Sequence, residues 1–427
     1  MHSLRSRFSA YSVYLTFSGL SSLASGLIVT VNMVYQVEAA RLNPLQLVLV
    51  GTTLEVVAFL FQVPTGILAD VYSRRLAVIA GIVLVGLAFL LEGSFPRFDV
   101  ILASQVLLGI GAVMMDGAEQ AWITGEVGDE RAGHVFLRST QAGLLGSLAG
   151  AVMSVSLASF RLNLPIVLGG ALSVLIGVYL ALCMPENHFR PAREDERPSW
   201  KDFSQTFKNG VRVVRTSSVL LAILLVALFF GLYSEGVDRL STAHLLADFH
   251  IPALWNFQPV VWFGVISVAT TLLTLAASEV VRRRVDTTHQ RALIRALFIA
   301  NVAGIGGLLV FALAGNFFLA LAALLFFNVY RSVTNPLFNT WFALNTDPKV
   351  RATVFSMSGQ VDAIGQIAGG PPVGYIGSLF SLRAALVASS IILSPVLLLF
   401  AFAWRKAKQA AAPVYPVEQE EDAAPVV

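Results

Sequence analysis

A small set of acidic and basic residues lies inside long apolar stretches of the chain. A charge near the centre of a bilayer costs roughly 3 kcal/mol on insertion scales, so such residues usually face protein or water. Burial disfavours the charged form of a carboxyl group, so an acid in such a place can bind a proton and release it when water enters. The set predicts proton-coupled chemistry within a membrane, and its members are Glu55, Asp116, Glu119, Glu235, Asp238, Arg239, Arg331 and Asp362.

The spacing of these residues leaves two roles open for most of the acids. Asp116 and Glu119 are three residues apart and are expected to share a helix face. They would act there either as proton carriers or as structural partners of Arg74. Glu235 and Arg239 are four apart, so the pair can neutralise itself along a helix.

Two residues near the predicted mid-membrane level differ in their surroundings. Glu55 has no cation within one helical turn, which favours a proton-coupling role over a hydrogen bond to a neighbouring helix. Arg331 is expected to pair with one of the acids, to join two parts of the protein, or to meet an anionic group of a substrate.

Twelve apolar stretches must position these side chains. A helix that crosses a bilayer core needs about 20 predominantly apolar residues. Hydrophobic residues make up 56% of the 427 residues and charged residues 13%, whereas a soluble domain has about 25% charged residues. We predict an all-α membrane protein with twelve transmembrane helices at residues 9–37, 44–70, 76–93, 99–124, 135–160, 165–184, 216–246, 258–281, 291–314, 316–343, 352–380 and 382–405.

The distribution of Lys and Arg predicts the orientation of the chain. Most of these cations lie at the N-terminus, in the even-numbered gaps and at the C-terminus, including Arg74, Arg75 and Arg282 to Arg284. By the positive-inside rule, both termini are cytoplasmic. The net charge of +3 is then a topology signal and calls for no nucleic-acid partner.

The longest polar interruption divides the spans six and six. We predict an N-terminal six-helix bundle at 1–184, a cytoplasmic linker at 185–215, a C-terminal six-helix bundle at 216–408 and a disordered tail at 409–427. Apolar and basic residues alternate at helical spacing over 200–214, which is typical of a helix on the membrane surface. Glycines recur in spans 5 and 11, around Gly143 to Gly150 and Gly365 to Gly374. They indicate either an internal duplication or ordinary close packing.

The loop between spans 2 and 3 carries a motif, Gly66-Ile-Leu-Ala-Asp70-Val-Tyr-Ser-Arg74-Arg75. It resembles the signature loop of the major facilitator superfamily, Gly-x-Leu-Ala-Asp-(Arg/Lys)-x-Gly-Arg-(Arg/Lys). A weaker second copy is Glu279 to Arg284 after span 8. The resemblance implies a conformational latch formed by Gly66, Asp70, Arg74 and Arg75, in which Gly66 permits close helix contact.

The resemblance also implies a fold and a site. The fold would be two pseudo-symmetric six-helix bundles, and spans 1, 4, 7 and 10 would line a central cavity. Arg331, Asn335, Tyr233, Phe230 and Tyr330 are then substrate-cavity candidates. The proton-coupling candidates are Glu55, Asp116, Glu119, Glu235 and Asp238.

The segments 63–70 and 116–123 are similar to the bacterial drug:proton antiporter and tetracycline-type efflux branch. We therefore expect proton-coupled export of amphipathic or drug-like molecules by alternating access, from a monomer in the bacterial inner membrane. The alternative is a transporter for one metabolite, such as a sugar, a siderophore or a lysophospholipid, in either direction. Ethidium and tetracycline are the natural first probes.

An enzyme is the rival class, and the sequence argues against it. There is no Walker loop and no His-Glu-x-x-His motif among the six His residues. The single cysteine, Cys183, excludes an internal disulfide or a cysteine metal cluster. We expect no metal and no cofactor, with a proton gradient as the energy source.

Overall fold

The structure is a computed structural model that describes residues 9–189, 211–252 without 213 and 216, 260–348 and 350–409. Within the helices, it leaves out the side chains of 63, 67, 70, 408 and 409. Most of the surface helix predicted at 200–214 and nearly all of the predicted tail lie outside the described residues. The described chain is helical throughout and contains no strand.

Fourteen helices are present in these ranges. They are α1 (Ala10–Glu38), α2 (Pro44–Val71), α3 (Arg74–Ser94), α4 (Phe98–Met115), α5 (Ala118–Val127), α6 (Asp129–Ala158), α7 (Leu164–Cys183), α8 (Ser218–Asp248), α9 (Val261–Arg284), α10 (Gln290–Leu313), α11 (Phe317–Leu344), α12 (Arg351–Leu379), α13 (Leu382–Leu393) and α14 (Pro395–Gln409).

Polar caps determine where several of the apolar helices begin. The side chain of Asn43 accepts a hydrogen bond from the backbone N–H of Gln46, and Oε1 of Gln46 accepts one from the backbone N–H of Asn43, so α2 starts with a complete capping box. Ser217 and Asn316 accept equivalent bonds at the starts of α8 and α11. These bonds satisfy backbone donors that a helix start otherwise leaves unpaired.

Eleven stretches in the described residues are long and apolar enough to cross a membrane, with α4 and α5 counted together and α13 and α14 counted together. The remaining long helix, α12, is less apolar because it carries Gln360, Asp362 and Gln366. Its 29 residues still extend about 43 Å at 1.5 Å per residue. Ten single helices and two broken ones thus correspond to the twelve predicted spans.

The two breaks correct the predicted spans at 99–124 and 382–405, which were expected to be continuous. α4 ends at Met115 and α5 begins at Ala118, because Gly117 has a φ of 74°. A residue with a positive φ cannot continue a right-handed helix, and glycine adopts such a φ without steric cost. Near the other break, Pro395 has no N–H to donate and begins a new helix after Ser394.

The glycines of spans 5 and 11 allow two equivalent close contacts between helices. α6 packs on α1, where a Cβ on Gly26 would lie 2.5 Å from the carbonyl oxygen of Ser147. α12 packs on α8, where a Cβ on Gly365 would lie 2.5 Å from the carbonyl oxygen of Leu228. The structure therefore shows the close-packing alternative for these glycines, whereas internal duplication stays a prediction.

The seam between the halves is closed at one end of the bundle. We call the end where α1 begins and α14 ends the terminal face, and the other end the distal face. Near the distal face, α2 packs on α12, with Gly374 against Val48 and Gly377 against Pro44. α9 meets α6 there as well, where Gly264 faces Val155. Toward the terminal face, Gln360 of α12 still donates a hydrogen bond to Oε1 of Gln62 on α2, whereas a Cβ on Gly66 would meet nothing within 4 Å.

Candidate functional site

A polar cavity of about 590 Å³ lies in the second half, between α8, α9, α11 and α12. It extends from the middle of these helices to Phe342 and Phe355, which lie close to the terminal face. Its wall combines amides and hydroxyls with aromatic rings, so the cavity can bind a molecule by hydrogen bonds and by stacking. The polar and charged lining residues are Tyr233, Ser234, Asp238, Thr270, Asn328, Tyr330, Arg331, Ser332, Thr334, Asn335, Asn339, Ser358, Asp362 and Gln366.

Arg331 and Asp238 form a forked ion pair in the cavity wall. Nη1 of Arg331 donates to Oδ1 of Asp238, and Nη2 donates to Oδ2 at 3.0 Å. The two side chains come from α11 and α8, so the pair holds two cavity helices together. Of the three roles expected for Arg331, pairing with an acid is the one present in the structure.

The predicted aromatic residues lie in the same wall. Phe230 packs edge to face on Phe338 with 5.6 Å between ring centroids, and on Tyr233 with 6.3 Å. The hydroxyl of Tyr330 donates to Oδ1 of Asn301 on α10 at 2.7 Å. All five predicted substrate-cavity residues line the cavity, although the Tyr330 hydroxyl is already engaged elsewhere.

Asp362 lies in the cavity. It belongs to the set of charges within the apolar stretches but was not among the proton-coupling or substrate-cavity candidates. Its Oδ2 accepts a hydrogen bond from Nε2 of Gln366 at 2.8 Å, one turn further along α12. The described residues provide no cation within ion-pairing distance of it. Its position could not be recognised from sequence because α12 was not among the helices expected to line the cavity.

A second ion pair lies at the seam between the halves. Oε1 of Glu235 accepts from Nε of Arg239 at 2.9 Å, and the side chains are 4% and 16% exposed. Both groups press against Gly51 of α2, where a Cβ would lie 2.6 Å from Nη2 of Arg239. Arg239 also contacts Sδ of Met33 on α1 at 4.0 Å. Glu235 is therefore placed at the interface, outside the cavity lining.

Glu55 is half-buried on α2, within electrostatic range of Glu235, Asp238, Arg239 and Asp362. No hydrogen bond or ion pair reaches its carboxylate from the part of the chain that the structure describes. It is the acid of the first half that lies close to the charges of the second half.

Asp116 and Glu119 lie apart from this group. The prediction that they share a helix face is wrong, because the break at Gly117 separates them onto the end of α4 and the start of α5. Asp116 is exposed, whereas Glu119 is half-buried near Tyr14 of α1. Neither lines the cavity.

The loop between α2 and α3 is anchored by the segment that follows α7. Glu186 accepts from the hydroxyl of Ser73 at 2.7 Å and from the backbone N–H of Arg75 at 3.0 Å. A carboxylate at a helix start satisfies free donors and complements the helix dipole. Nη1 of Arg74 donates to the carbonyl of Ala121 at 3.0 Å. Glu186 is a functional candidate that sequence reasoning missed.

The two other members of the predicted latch are Asp70 and Gly66. The side chain of Asp70 lies outside the described residues, so its partners are not part of the structure. The close helix contact expected at Gly66 is absent from this conformation, because a Cβ there would meet nothing within 4 Å. Its neighbour Thr65 does contact α4, where its hydroxyl donates to the carbonyl of Val113 at 3.3 Å.

The corresponding loop of the second half forms local contacts. Glu279 accepts from Arg282 and Arg283 at 2.7 and 2.6 Å. Beyond the helix, hydrogen bonds from the hydroxyl and backbone N–H of Thr288 lower the pKa of Asp286 to about 2.

Glu92 on α3 is a buried acid that was not singled out from the sequence. Its side chain is fully buried, and its carboxylate accepts from Nε2 of Gln36 at 2.7 Å and from Nε2 of Gln105 at 3.1 Å. Its backbone carbonyl accepts from the hydroxyl of Tyr35 at 2.7 Å. A single acid at the end of an apolar stretch was the signal that could have identified it.

Comparison with models of known protein families identifies the family of the chain. The model of the Major Facilitator Superfamily matches residues 9–370. This chain belongs to the major facilitator superfamily. The family match shows a membrane transporter of this type and indicates that the protein is not an enzyme.

Relatives of known sequence or structure agree with the superfamily assignment. The chain is 20% identical over 392 residues to the uncharacterized MFS-type transporter YxaM of Bacillus subtilis (strain 168), covering 91% of this chain and 94% of that one. The structure is similar to that of the nucleoside transporter NupG, with a TM-score of 0.70, 16% identity and coverage of 94% and 100% of the two chains.

A second solved structure shares the fold at a similar level. It is a bacterial homologue of the human lysosomal transporter Spinster in an inward-facing, unoccupied conformation, with a TM-score of 0.71 and 14% identity over 94% of this chain and 97% of that one. At these identities, the structural likeness extends to the superfamily fold alone.

Proposed function

We propose that the protein is a proton-coupled secondary active transporter for small polar molecules, working by alternating access. The observation that carries the proposal is the cavity on α8, α9, α11 and α12, whose wall is rich in amides, hydroxyls and ionised side chains. A cavity that hydrogen-bonds its ligand rejects analogues that lack those groups, because its own polar atoms are then left unpaired.

The polarity of the wall favours the metabolite alternative over amphipathic drugs. Asn328, Asn335 and Asn339 repeat along α11 in the lining, together with Ser358 of α12. An apolar drug would remove water from these groups without replacing its hydrogen bonds. Drug-like export is the second candidate, which Phe230 and Phe338 favour as a stacking surface.

The acids near the seam support proton coupling. Glu55 lies within electrostatic range of Glu235, Asp238 and Asp362, and these four acids outnumber the two guanidinium groups of Arg239 and Arg331. Two negative charges without cations favour the uptake of protons when water leaves the site. Glu55 and Asp362 are the proposed proton carriers, since neither has an ion-pair partner among the described residues.

The orientation follows from the positive-inside rule, which assigns the terminal face to the cytoplasm. With the seam closed at the distal face, the cavity then faces the cytoplasm. Binding of cargo from the cytoplasm and protons from outside would drive export, the direction that we propose. A monomer contains the whole cavity.

The test is transport by purified protein in liposomes under an imposed pH gradient. Uridine and a dipeptide serve as polar probes, and ethidium and tetracycline as amphipathic ones. We expect gradient-dependent movement of a polar solute that Glu55→Gln or Asp362→Asn abolishes, with Asp286→Asn as the exposed control. Movement of ethidium and tetracycline alone would favour drug export. A comparison of proton-dependent accumulation in everted and in right-side-out vesicles would give the direction of transport.

A further inference from the structure

The net charge of the cavity wall restricts what it can bind. Three acidic or basic side chains line it in the described structure, namely Asp238, Arg331 and Asp362. The first two neutralise each other in the forked pair. Asp362 remains, so the wall carries one uncompensated negative charge, and Glu55 adds another within electrostatic range. An anionic cargo would meet repulsion here, whereas a cation would be attracted.

Aromatic rings lie at the same level as this charge. Gly231 of α8 packs directly on the backbone of Asp362, where a Cβ would lie 2.9 Å from its carbonyl carbon. Its neighbour in sequence, Phe230, forms the aromatic cluster with Phe338 and Tyr233. A cation within about 6 Å of such a ring gains roughly 0.5 to 2 kcal/mol. A carboxylate beside aromatic rings is the combination that recognises ammonium groups.

A separate observation concerns a buried hydroxyl group in the cavity wall. Thr334 lines the cavity, is 4% exposed, and its Oγ1 is buried without a hydrogen-bond partner. Leaving a buried hydroxyl unpaired costs free energy, so a native site usually supplies a partner for it. Because this oxygen has no contact with solvent, the Thr334 side chain must turn toward the cavity before the N–H of a bound ammonium group can donate to it.

We infer that the cavity takes cargo with a protonated amine next to a ring or short apolar group, with Asp362 as its counter-ion. The inference rests on the proposed transport function and names its substrate class. Arg331 does not bind the cargo in this account; it keeps Asp238 neutralised and leaves Asp362 as the anionic contact.

The test compares pairs of probes that differ in one group. Tyramine and tyrosol share a ring, a phenol and a chain but end in an amine or a hydroxyl; phenethylamine with phenethyl alcohol and glucosamine with glucose are further pairs. Binding is measured as the concentration-dependent shift of the unfolding midpoint of the whole protein in nanodiscs. We expect the amine to bind at least about tenfold more tightly in one or more pairs, which corresponds to 1.4 kcal/mol.

Substitutions test whether Asp362 causes the preference for amines. Asp362→Asn should reduce the amine preference to less than about threefold, whereas Asp362→Glu should retain it and Asp99→Asn, an exposed acid of the distal face, should leave it unchanged. Equal binding of amine and alcohol in all pairs, or binding of neither, overturns the inference. A preference that survives in Asp362→Asn overturns the role of this residue.

A transport assay with the same probes separates the inferred substrate class from the proposed transport function. Gradient-driven movement of the neutral probes with the same affinity as the amines would support transport and refute the amine class. Tight amine binding without any gradient-driven movement would support the site and refute the proposed coupling.

Discussion

A valine at position 51 should open the distal seam. Gly51 is the point at which α2 touches the Glu235–Arg239 pair, and even a Cβ there would overlap both charged groups. The atoms in contact are the ends of two flexible side chains, but these are only 4% and 16% exposed, so moving them away from α2 would strain or break the ion pair. Overpacking of this kind costs typically 1 to 3 kcal/mol. The clash exists only while the seam is closed, so Gly51→Val should destabilise this conformation by about 2 kcal/mol relative to one with an open distal face.

The expected result is a change of roughly 30-fold in the ratio of the two conformations, since 1.4 kcal/mol is a factor of ten. The ratio can be measured from the distance between spin labels at positions 97 and 315, which lie on distal loops of the two halves, by pulsed electron paramagnetic resonance. The labels are attached to cysteines introduced into a Cys183→Ser background. Gly51→Ala should give a smaller shift. Gly306→Val is the matched control, because a Cβ at Gly306 meets nothing within 4 Å. An unchanged distance distribution in Gly51→Val, with a folded protein, would refute the reasoning about the seam.

Three further predictions concern stability. Arg331→Gln should cost about 0.2 to 1 kcal/mol, because Asp238 is 44% exposed in the cavity and water can solvate it when it is unpaired. Adding Asp238→Asn should recover most of that cost, so a double-mutant cycle without coupling would count against the pair. Glu92→Gln should unfold close to the wild-type midpoint. Glu92→Leu should lower the free energy of unfolding by about 1 to 3 kcal/mol for each side-chain amide, of Gln36 and Gln105, that loses its acceptor. Equal effects of the two substitutions would contradict the hydrogen bonds assigned to Glu92. Tyr330→Phe should lower the free energy of unfolding by about 1 to 2 kcal/mol, because Oδ1 of buried Asn301 loses its hydrogen-bond donor. Thermal unfolding would detect this change, and an unchanged midpoint would contradict the assigned bond.

The positions of the helices could be predicted from the sequence because their signals are local. Runs of apolar residues and caps such as Asn43 depend on neighbours within one turn. The breaks were missed because hydropathy is continuous across Gly117, and a glycine in an apolar helix usually continues it. Only the φ angle at this position distinguishes a break from a close contact.

The grouping of the charges was harder to predict because it depends on helix rotation and on the packing of distant segments. Glu235 and Asp238 are three residues apart, yet the first lies at the seam and the second in the cavity. Asp116 was expected near the cavity and lies outside it, while Asp362 lies inside. The environment of Glu92 combines α1, α3 and α4, so no single segment of sequence contains it.

The most direct test of the account measures proton movement with a pH-sensitive dye inside liposomes while tyramine, uridine or a dipeptide is added, for the wild type, Asp362→Asn and Asp116→Asn. The account predicts solute-dependent proton movement in the wild type and in Asp116→Asn, whose site lies outside the cavity, and its loss in Asp362→Asn. Loss in Asp116→Asn with normal movement in Asp362→Asn would contradict the assignment of the cavity in the second half as the place where cargo and proton meet.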